Sequence, residues 1–303
     1  MRKPWLVFAL LAAAIFAVAA GVDFYRHRLV RSDRDLFRFL PQTDATILYV
    51  NADGLRRAGI LGLLAGVATA RDIDYSAFLR ETHFDYTRDL SAIAGSVNTK
   101  QSLFVIRGRF DWTSMRNYAK NHGGACRNDT CELPSATPGR WASFFPIQSD
   151  VMALAAGTSR SAAEVLRSRH QLTQSLPAQP VWVKFSHALL QRPPELPLAL
   201  RIFVISLQPA DSVVLSLAQA DSQTSARFQL ELNAVCPSAP SANSIRNQLE
   251  LETKFLRIAL AREHVQPNAK DVTGLLTAGT FRASGDRVEG SWPISKELLN
   301  SLQ

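Results

Sequence analysis

The chain has 303 residues, of which 47% are hydrophobic and 20% are charged. This balance excludes an intrinsically disordered protein and supplies enough apolar material for a sizeable core. The formal net charge is +8, but residues 1–40 contain seven Lys or Arg and three Asp, so half of the excess lies in this short segment. Because the remaining body is only mildly basic, we expect no nucleic-acid partner.

An apolar run near the amino terminus is the most specific feature of the sequence. Arg2 and Lys3 precede an uncharged stretch, residues 5–22, which Asp23 closes. As a helix this run would measure about 27 Å, close to the hydrocarbon core of a bilayer at about 30 Å. Two interpretations stay open: an uncleaved signal anchor, favoured by the length, and a signal peptide cleaved after Ala19.

Basic residues flank the apolar run on both sides and compete for the cytoplasmic side, so the charges alone leave the orientation open. Mainly on the basis of the cysteines, we predict a single-pass protein of the bacterial inner membrane, with its body in the periplasm or outside the cell. Residues 1–22 form the signal anchor or signal peptide, and contact with the membrane runs through residues 5–22. Residues 23–40 are expected to be a basic, solvated juxtamembrane linker close to lipid headgroups. The sequence leaves the oligomeric state open.

The three cysteines are Cys126, Cys131 and Cys236. Cys126 and Cys131 are separated by four residues in a polar, Gly-rich loop, which lets their Cα atoms approach to the distance that a disulfide requires. In an oxidising compartment we expect them to be bonded. Free thiols, half of a metal site and a redox pair are the alternatives. Cys236 follows an apolar strand and is expected to be a buried small hydrophobe.

From residue 41 onwards the same order of elements is predicted twice, as β-α-β-β-α-β-β-α. The first copy, residues 41–170, has predicted strands at 45–50, 90–97, 103–110, 141–147 and 151–156, and helices at 55–67, 112–120 and 161–169. The second copy, residues 180–303, has predicted strands at 180–185, 213–220, 226–235, 280–283 and 287–292, and helices at 196–207, 242–262 and 296–302.

These elements predict an α+β protein with two similar halves, each an antiparallel sheet covered by helices, after an amino-terminal transmembrane helix. The polar segment 171–179 is expected to link the halves. Asp111 and Ser241 are predicted N-caps of the two amphipathic helices. The loop 126–139 is interpreted as a local elaboration outside the repeated framework.

Short motifs support a family resemblance. Leu40-Pro41-x-x-Asp44 leads into the first strand, and Thr82-x-Phe84-Asp85-x-x-x-Asp89-Leu90 precedes the first hairpin. With the repeated hairpin-helix-hairpin order, these motifs resemble a broad family of uncharacterised bacterial envelope proteins that have an amino-terminal membrane segment and a duplicated α+β body. The resemblance covers most of residues 38–303 and implies localisation and architecture, but no catalytic residues. His83 stands where the pattern commonly has Gly.

The sequence contains no phosphate-binding glycine loop, zinc-protease motif or nucleophile elbow. We therefore predict no catalytic residues, cofactor or metal. The densest polar group is a weak cluster of His83, Asp85, Arg88 and Asp89. It could seat a cation or serve acid-base chemistry, but a turn in which Asp85 and Asp89 cap backbone amides is the favoured interpretation. Arg107 and Arg109 alternate with apolar residues and are expected on the wet face of a sheet.

The leading functional hypothesis is a membrane-anchored, non-enzymatic envelope protein that binds another protein or the cell surface. An envelope hydrolase with a site between the two halves is one alternative, and it predicts a deep cleft with perturbed titratable groups. A carrier that holds a small apolar ligand between sheet and helices is the other. It predicts an apolar cavity of about 300 Å³ or more.

Overall fold

The computed structural model describes residues 30–62, 73–172, 175–191, 198–219, 228–268, 270–295 and 297–298. The predicted membrane run, the cleavage site after Ala19 and most of the predicted closing helix 296–302 lie outside these ranges. Within the described ranges, no helix combines the length and the apolar character that crossing a bilayer requires.

The described residues form an α+β fold around one antiparallel sheet of twelve strands. The strands are β1 Thr46–Asn51, β2 Leu90–Val97, β3 Gln101–Gly108, β4 Ala125–Arg127, β5 Thr130–Pro134, β6 Trp141–Gln148, β7 Val151–Gly157, β8 Val181–Ser186, β9 Ser212–Gln219, β10 Phe228–Val235, β11 Thr280–Ser284 and β12 Arg287–Ile294. Their order across the sheet is β11-β12-β10-β9-β8-β1-β2-β3-β7-β6-β5-β4.

Helices and short 3₁₀ turns pack against this sheet. The helices are α1 Asp33–Leu36, α2 Ala52–Arg57, α3 Ile73–Thr82, α4 Tyr86–Asp89, α5 Trp112–Asn121, α6 His187–Leu190, α7 Leu198–Ser206, α8 Ala239–Arg262 and α9 Val272–Thr277. The 3₁₀ turns are Phe37–Phe39 and Ala162–Arg167.

Local sequence signals explain where the hairpins turn. In the β2–β3 hairpin, the side-chain oxygen of Asn98 accepts hydrogen bonds from the backbone N–H groups of Lys100 and Gln101, at 2.9 and 3.0 Å. An Asn side chain that binds the backbone two residues on is a common way to stabilise a tight turn. The predicted turn at Asn98 is therefore present, with strands within two residues of their predicted ends.

The sheet joins the two halves directly, because β1 pairs with β8. On either side of this pair the strand order is the same. Outward from the pair, the order is β1-β2-β3-β7-β6 in the first half and β8-β9-β10-β12-β11 in the second half. The halves thus share one continuous sheet, and this topology would follow from a duplication. The duplication itself stays a prediction.

One face of the sheet carries most of the helices. Leu217 packs in a core with Leu55 of α2 and Met115 of α5. Leu215, two residues away and thus on the same face, packs against the core that contains Ile245 of α8. The helices of both halves therefore cover this face, which we call the helical face.

Among the described residues, the opposite face is covered over the first half and the adjoining strand β8. There the segment that follows the apolar run packs onto β1 and β8, where Phe37 stacks on Trp182 at a ring-centroid distance of 5.3 Å. Leu36 and Leu40 are fully buried, and Phe39 is almost so. The described part of the predicted linker, residues 30–40, is therefore not solvated, because its apolar side chains complete this core.

Two further expectations are corrected. The loop 126–139 contains the β4–β5 hairpin, which extends the sheet beyond β6. Helix α8 begins at Ala239 rather than 242, and its N-cap is Ser238, whose side chain accepts from the backbone N–H of Ser241. Pro240 falls in the first turn of the helix, where a missing N–H costs little.

Candidate binding groove on the open face of the sheet

The second half of the sheet has one apolar face and one polar face. In β9, Val213 and Leu217 are buried on the helical face, whereas Ser212 and Ser216 alternate with them and point to the other side. The same alternation continues in β10, where Leu232 belongs to the core of the second half. Among the residues that the structure describes, the segment 175–179 borders the polar face of these strands, and beside it that face forms an open groove.

This open-face groove has a volume of about 1050 Å³. One wall is the segment 175–180, which we call the strap, and the strands β8–β12 form the floor. Its lining on the sheet is mixed. The polar members include Lys184, Ser212, Ser216, Glu231, Asn233, Arg282, Arg287, Glu289 and Ser291, and the apolar members are Val214, Leu232, Val235 and Phe281. Leu176 and Pro177 of the strap add an apolar edge.

Glu231 is a hydrogen-bond acceptor in the groove with several side-chain partners. Its carboxylate accepts a hydrogen bond from Gln229 Nε2 at 2.8 Å and another from Gln179 Nε2 at 3.2 Å. Ser216 Oγ lies 3.5 Å from the same carboxylate. Gln179 belongs to the strap, so this contact ties the strap to the floor of the groove and fixes the orientation of the carboxylate.

The charged side chains of the groove are of both signs. Lys184 is half-buried, and burial lowers the pKa of its ammonium group. Arg282 on β11 lies opposite Glu289 on β12 in the register of that hairpin. A surface with amides, hydroxyls and both signs of charge is suited to hydrogen bonding with a polar, extended ligand. No His or Cys occurs among the lining residues of this groove.

Two smaller grooves adjoin the strap. One, of about 350 Å³, lies between the strap and Asp33, Tyr49 and Trp182. The other, of about 290 Å³, is lined by Lys184 and Asp211 among others. The strap thus borders a row of connected depressions near the junction of β1 and β8.

The residues singled out from the sequence lie away from this groove. The predicted disulfide between Cys126 and Cys131 is present, and it crosses the β4–β5 hairpin at the far edge of the sheet. Cys236 is buried, as expected. Across the described ranges, no group of three or more His, Cys, Asp or Glu side chains is placed to hold a metal ion.

The weak polar cluster forms a structured turn before β2. Asp85 is the N-cap of α4 and accepts from the Thr87 N–H, while Asp89 accepts from the Asp85 N–H at 2.9 Å. Burial opposes ionisation of Asp89, but the Asp85 N–H and the charges of Arg88 and Arg109 prevail and lower the pKa of its carboxyl. His83 adopts a positive φ of 57°, the conformation for which Gly is preferred.

The expectation for Arg107 in β3 and Arg109 just after it needs refinement. Arg107 does not point into solvent, because its guanidinium forms a salt bridge with Asp33 and its side chain is only 17% exposed. Arg109 is 69% exposed and contacts Asp89 at 2.7 Å.

Sequence reasoning missed the open-face groove. The available signal was the alternation of polar and apolar residues in β9, β10 and β12, which indicates that one face of the sheet is exposed to solvent. It does not show that the strap crosses that face or that Gln179 reaches Glu231, 52 positions later.

Comparisons with known proteins bear on the fold. No family model matches the chain, and no curated protein matches its sequence significantly. The structure is similar to solved structures of TP0453. Crystal form III aligns with a TM-score of 0.50 at 14% identity, over 89% of this chain and 98% of TP0453. Crystal form I gives 0.47 at 15% identity, over 90% and 97%. The likeness to form III concerns the fold alone.

Proposed function

We propose that this chain is a membrane-tethered, non-enzymatic binding protein of the bacterial envelope whose open-face groove binds an extended polar segment of a protein partner. The observation that carries the proposal is the uncovered half of the sheet. Helices cover the helical face along both halves, and the segment 30–40 covers the other face of the first half, but the second half of that face is left as a groove of about 1050 Å³.

The size and chemistry of the groove favour a peptide segment over a compact small molecule. Its volume lies at the upper end of the range for small-molecule pockets, about 300–1000 Å³, and it is open along its length. Its amide and hydroxyl groups can pair with peptide N–H and C=O groups, which must be satisfied when they leave water. Glu231 and Lys184 add a fixed acceptor and a half-buried cation for orientation.

The position of Val30 limits the distance between the folded body and the apolar run. This residue is buried, and its N–H donates to the side chain of Gln148 at 2.9 Å. Only residues 23–29 separate it from the apolar run, so the fully extended chain between them spans at most about 28 Å. If residues 5–22 lie in the inner membrane as proposed, the body is held close to the bilayer surface in the periplasm or outside the cell.

We further propose that the two halves arose by duplication, with only the second copy retaining an open polar face. The first five strands on each side, counted from β1 and from β8, follow the same order, which supports this. In the first half the corresponding face is occupied by Phe37 and its neighbours.

Site-specific photocrosslinking tests the groove. A photoreactive amino acid replaces Asn233, on the floor of the groove, or Asn247, on the exposed side of α8, in the full chain expressed in bacterial cells. We expect a discrete crosslinked protein adduct from position 233 only, and its loss in the isosteric variant Glu231→Gln. Equal crosslinking at both positions, or none at 233, would contradict the proposed binding surface.

The location is tested separately with Asn247→Cys. Because Cys126 and Cys131 are bonded and Cys236 is buried, the new thiol is the expected target of a membrane-impermeant maleimide. Labelling in intact cells is expected, and the mass of the labelled protein shows whether residues 1–19 are retained. Labelling only after lysis would place the body in the cytoplasm.

A further inference from the structure

A second groove lies on the helical face, between α7 and α8, with a volume of about 430 Å³. We call it the α7–α8 groove. Its lining residues are Ile205, Ser206, Pro209, Ser244, Ile245, Gln248 and Glu252. It is separated from the open-face groove by the sheet, and the proposed function does not use it.

Glu252 gives this groove an unusual chemistry. The residue is 9% exposed. Its Oε1 accepts hydrogen bonds from Ser206 Oγ and, at 3.1 Å, from Gln248 Nε2. Its Oε2 is buried and has no hydrogen-bond partner among the described residues. The carboxyl group therefore has one satisfied oxygen and one buried oxygen for which the described residues supply no donor.

Leaving such an oxygen without a partner is costly. Buried polar atoms are almost always hydrogen-bonded, and a buried carboxylate needs a counter-charge or a proton. The lining of the groove contains no Lys, Arg or His. In agreement, burial outweighs the hydrogen bonds from Ser206 and Gln248 and raises the pKa of Glu252. A cationic hydrogen-bond donor from outside would supply both missing interactions.

Apolar and accessible side chains also line the groove, beside the polar Ser206, Ser244 and Gln248. Ile205 is 47% exposed although it is a large aliphatic side chain, and Pro209 lies beside it in the lining. Phe255, three residues after Glu252 and so about 4.5 Å further along the helix axis, is 65% exposed. An alkyl chain that starts at Glu252 would find apolar surface on α7 and along α8.

We propose that the α7–α8 groove binds a small primary alkylammonium ligand. Its N–H groups donate to Glu252 Oε2, its charge neutralises the carboxylate, and its alkyl chain packs against Ile205 and Pro209. Both charge and N–H donors are required, because the vacant acceptor is an anionic oxygen.

The test uses n-hexylammonium as the probe and the purified full chain in one detergent, with binding measured by titration calorimetry at neutral pH. We expect saturable binding to the wild type. Hexanol, which has no charge, and N,N,N-trimethylhexylammonium, which has no N–H, are expected to bind at least tenfold more weakly. Because all proteins are measured in the same detergent, partitioning of a given probe into micelles cancels between variants. A titration of each probe into detergent alone corrects for the different partitioning of the three probes.

Matched variants assign the binding to Glu252. Glu252→Gln keeps the shape of the side chain and is expected to weaken hexylammonium binding at least tenfold. Glu250→Gln removes an exposed carboxylate two residues earlier on the same helix and is expected to leave binding unchanged. Ile205→Trp, at an exposed position that tolerates a larger side chain, is expected to block the groove while the protein stays folded.

Three results would overturn the proposal: no saturable binding to the wild type, equal affinity for hexanol and hexylammonium, or equal affinity in Glu250→Gln and Glu252→Gln. If Glu252→Gln does not fold, Ile205→Trp serves as the test variant instead. Undiminished hexylammonium binding to Ile205→Trp would then overturn the proposal.

Discussion

Asp33 and Arg107 form a salt bridge that connects the segment after the apolar run to a central strand of the sheet. Arg107 Nη1 lies 2.5 Å from Asp33 Oδ1, across 74 positions of sequence. The other carboxylate oxygen accepts from the Tyr49 hydroxyl at 2.5 Å. Burial, followed by the bond to Asp33, raises the pKa of Tyr49. Together with the packing of Phe37 on Tyr49 and Trp182, this polar contact holds the segment 30–40 on the sheet.

We expect Asp33→Ala to lower the free energy of unfolding by about 1–3 kcal/mol, because it removes the carboxylate that accepts from Arg107 Nη1 and from the Tyr49 hydroxyl. Urea denaturation measures this change. The control is Glu250→Ala, which removes an exposed pair with Arg246 and is expected to cost less than about 1 kcal/mol. Equal costs for the two variants would show that the Asp33 contact does not hold the segment.

The disulfide between Cys126 and Cys131 is expected to stabilise the fold only modestly, since it closes a short loop. The loop-entropy relation gives about 2 kcal/mol for a loop of this size. Replacement of both cysteines by Ser should lower the free energy of unfolding by that amount. A reducing agent should lower the stability of the wild type equally and leave the double variant unaffected, whereas a further loss in the variant would point to another origin.

Asp89 predicts a specific pH dependence. The pKa of its carboxyl is below the ordinary value of 3.8 in the folded protein, so the stabilisation is fully present above that value. It is lost as the pH falls through the lowered pKa. Asp89→Asn should therefore cost about 2 kcal/mol at pH 7, and the difference from the wild type should vanish in strong acid.

Chemical denaturation of both proteins between pH 7 and pH 2 measures this difference. Asp53→Asn, which alters an exposed pair with Arg56, serves as the control and should change stability by less than about 1 kcal/mol. A difference for Asp89→Asn that stays constant with pH would exclude the ionised carboxylate as its cause.

The start of α8 can be tested with a pair of serines. Ser238→Ala removes the N-cap acceptor and is expected to cost about 1 kcal/mol. Ser241→Ala, three residues later, should change stability by less than about 0.5 kcal/mol. Thermal or urea unfolding distinguishes them, and the opposite ranking would restore Ser241 as the cap.

The strands were largely predictable because their signals are local. The alternation of apolar residues and the Asn98 turn place β2 and β3 within two residues of their observed bounds. The start of α8 was missed because Ser238 and Ser241 are equivalent N-caps in sequence terms. Pro240 decides between them, since it fits the first turn of a helix that begins at Ala239.

By itself, the sequence predicted the α+β class, the bounds of most strands, the turn at Asn98 and the disulfide pair, because each depends on residues close together in the chain. Only the tertiary structure decided that β1 pairs with β8, that Asp33 meets Arg107, and that Gln179 reaches Glu231. It also showed that Glu252 is buried against Ser206 and that one of its carboxylate oxygens has no partner among the described residues. The helical pattern of the sequence does not specify either feature. The alternation of apolar and polar residues in a strand specifies which side chains share a face of the sheet. Which face is covered depends on contacts between segments that are distant in sequence. Bringing such segments together costs chain entropy, and only packing in the whole fold offsets that cost.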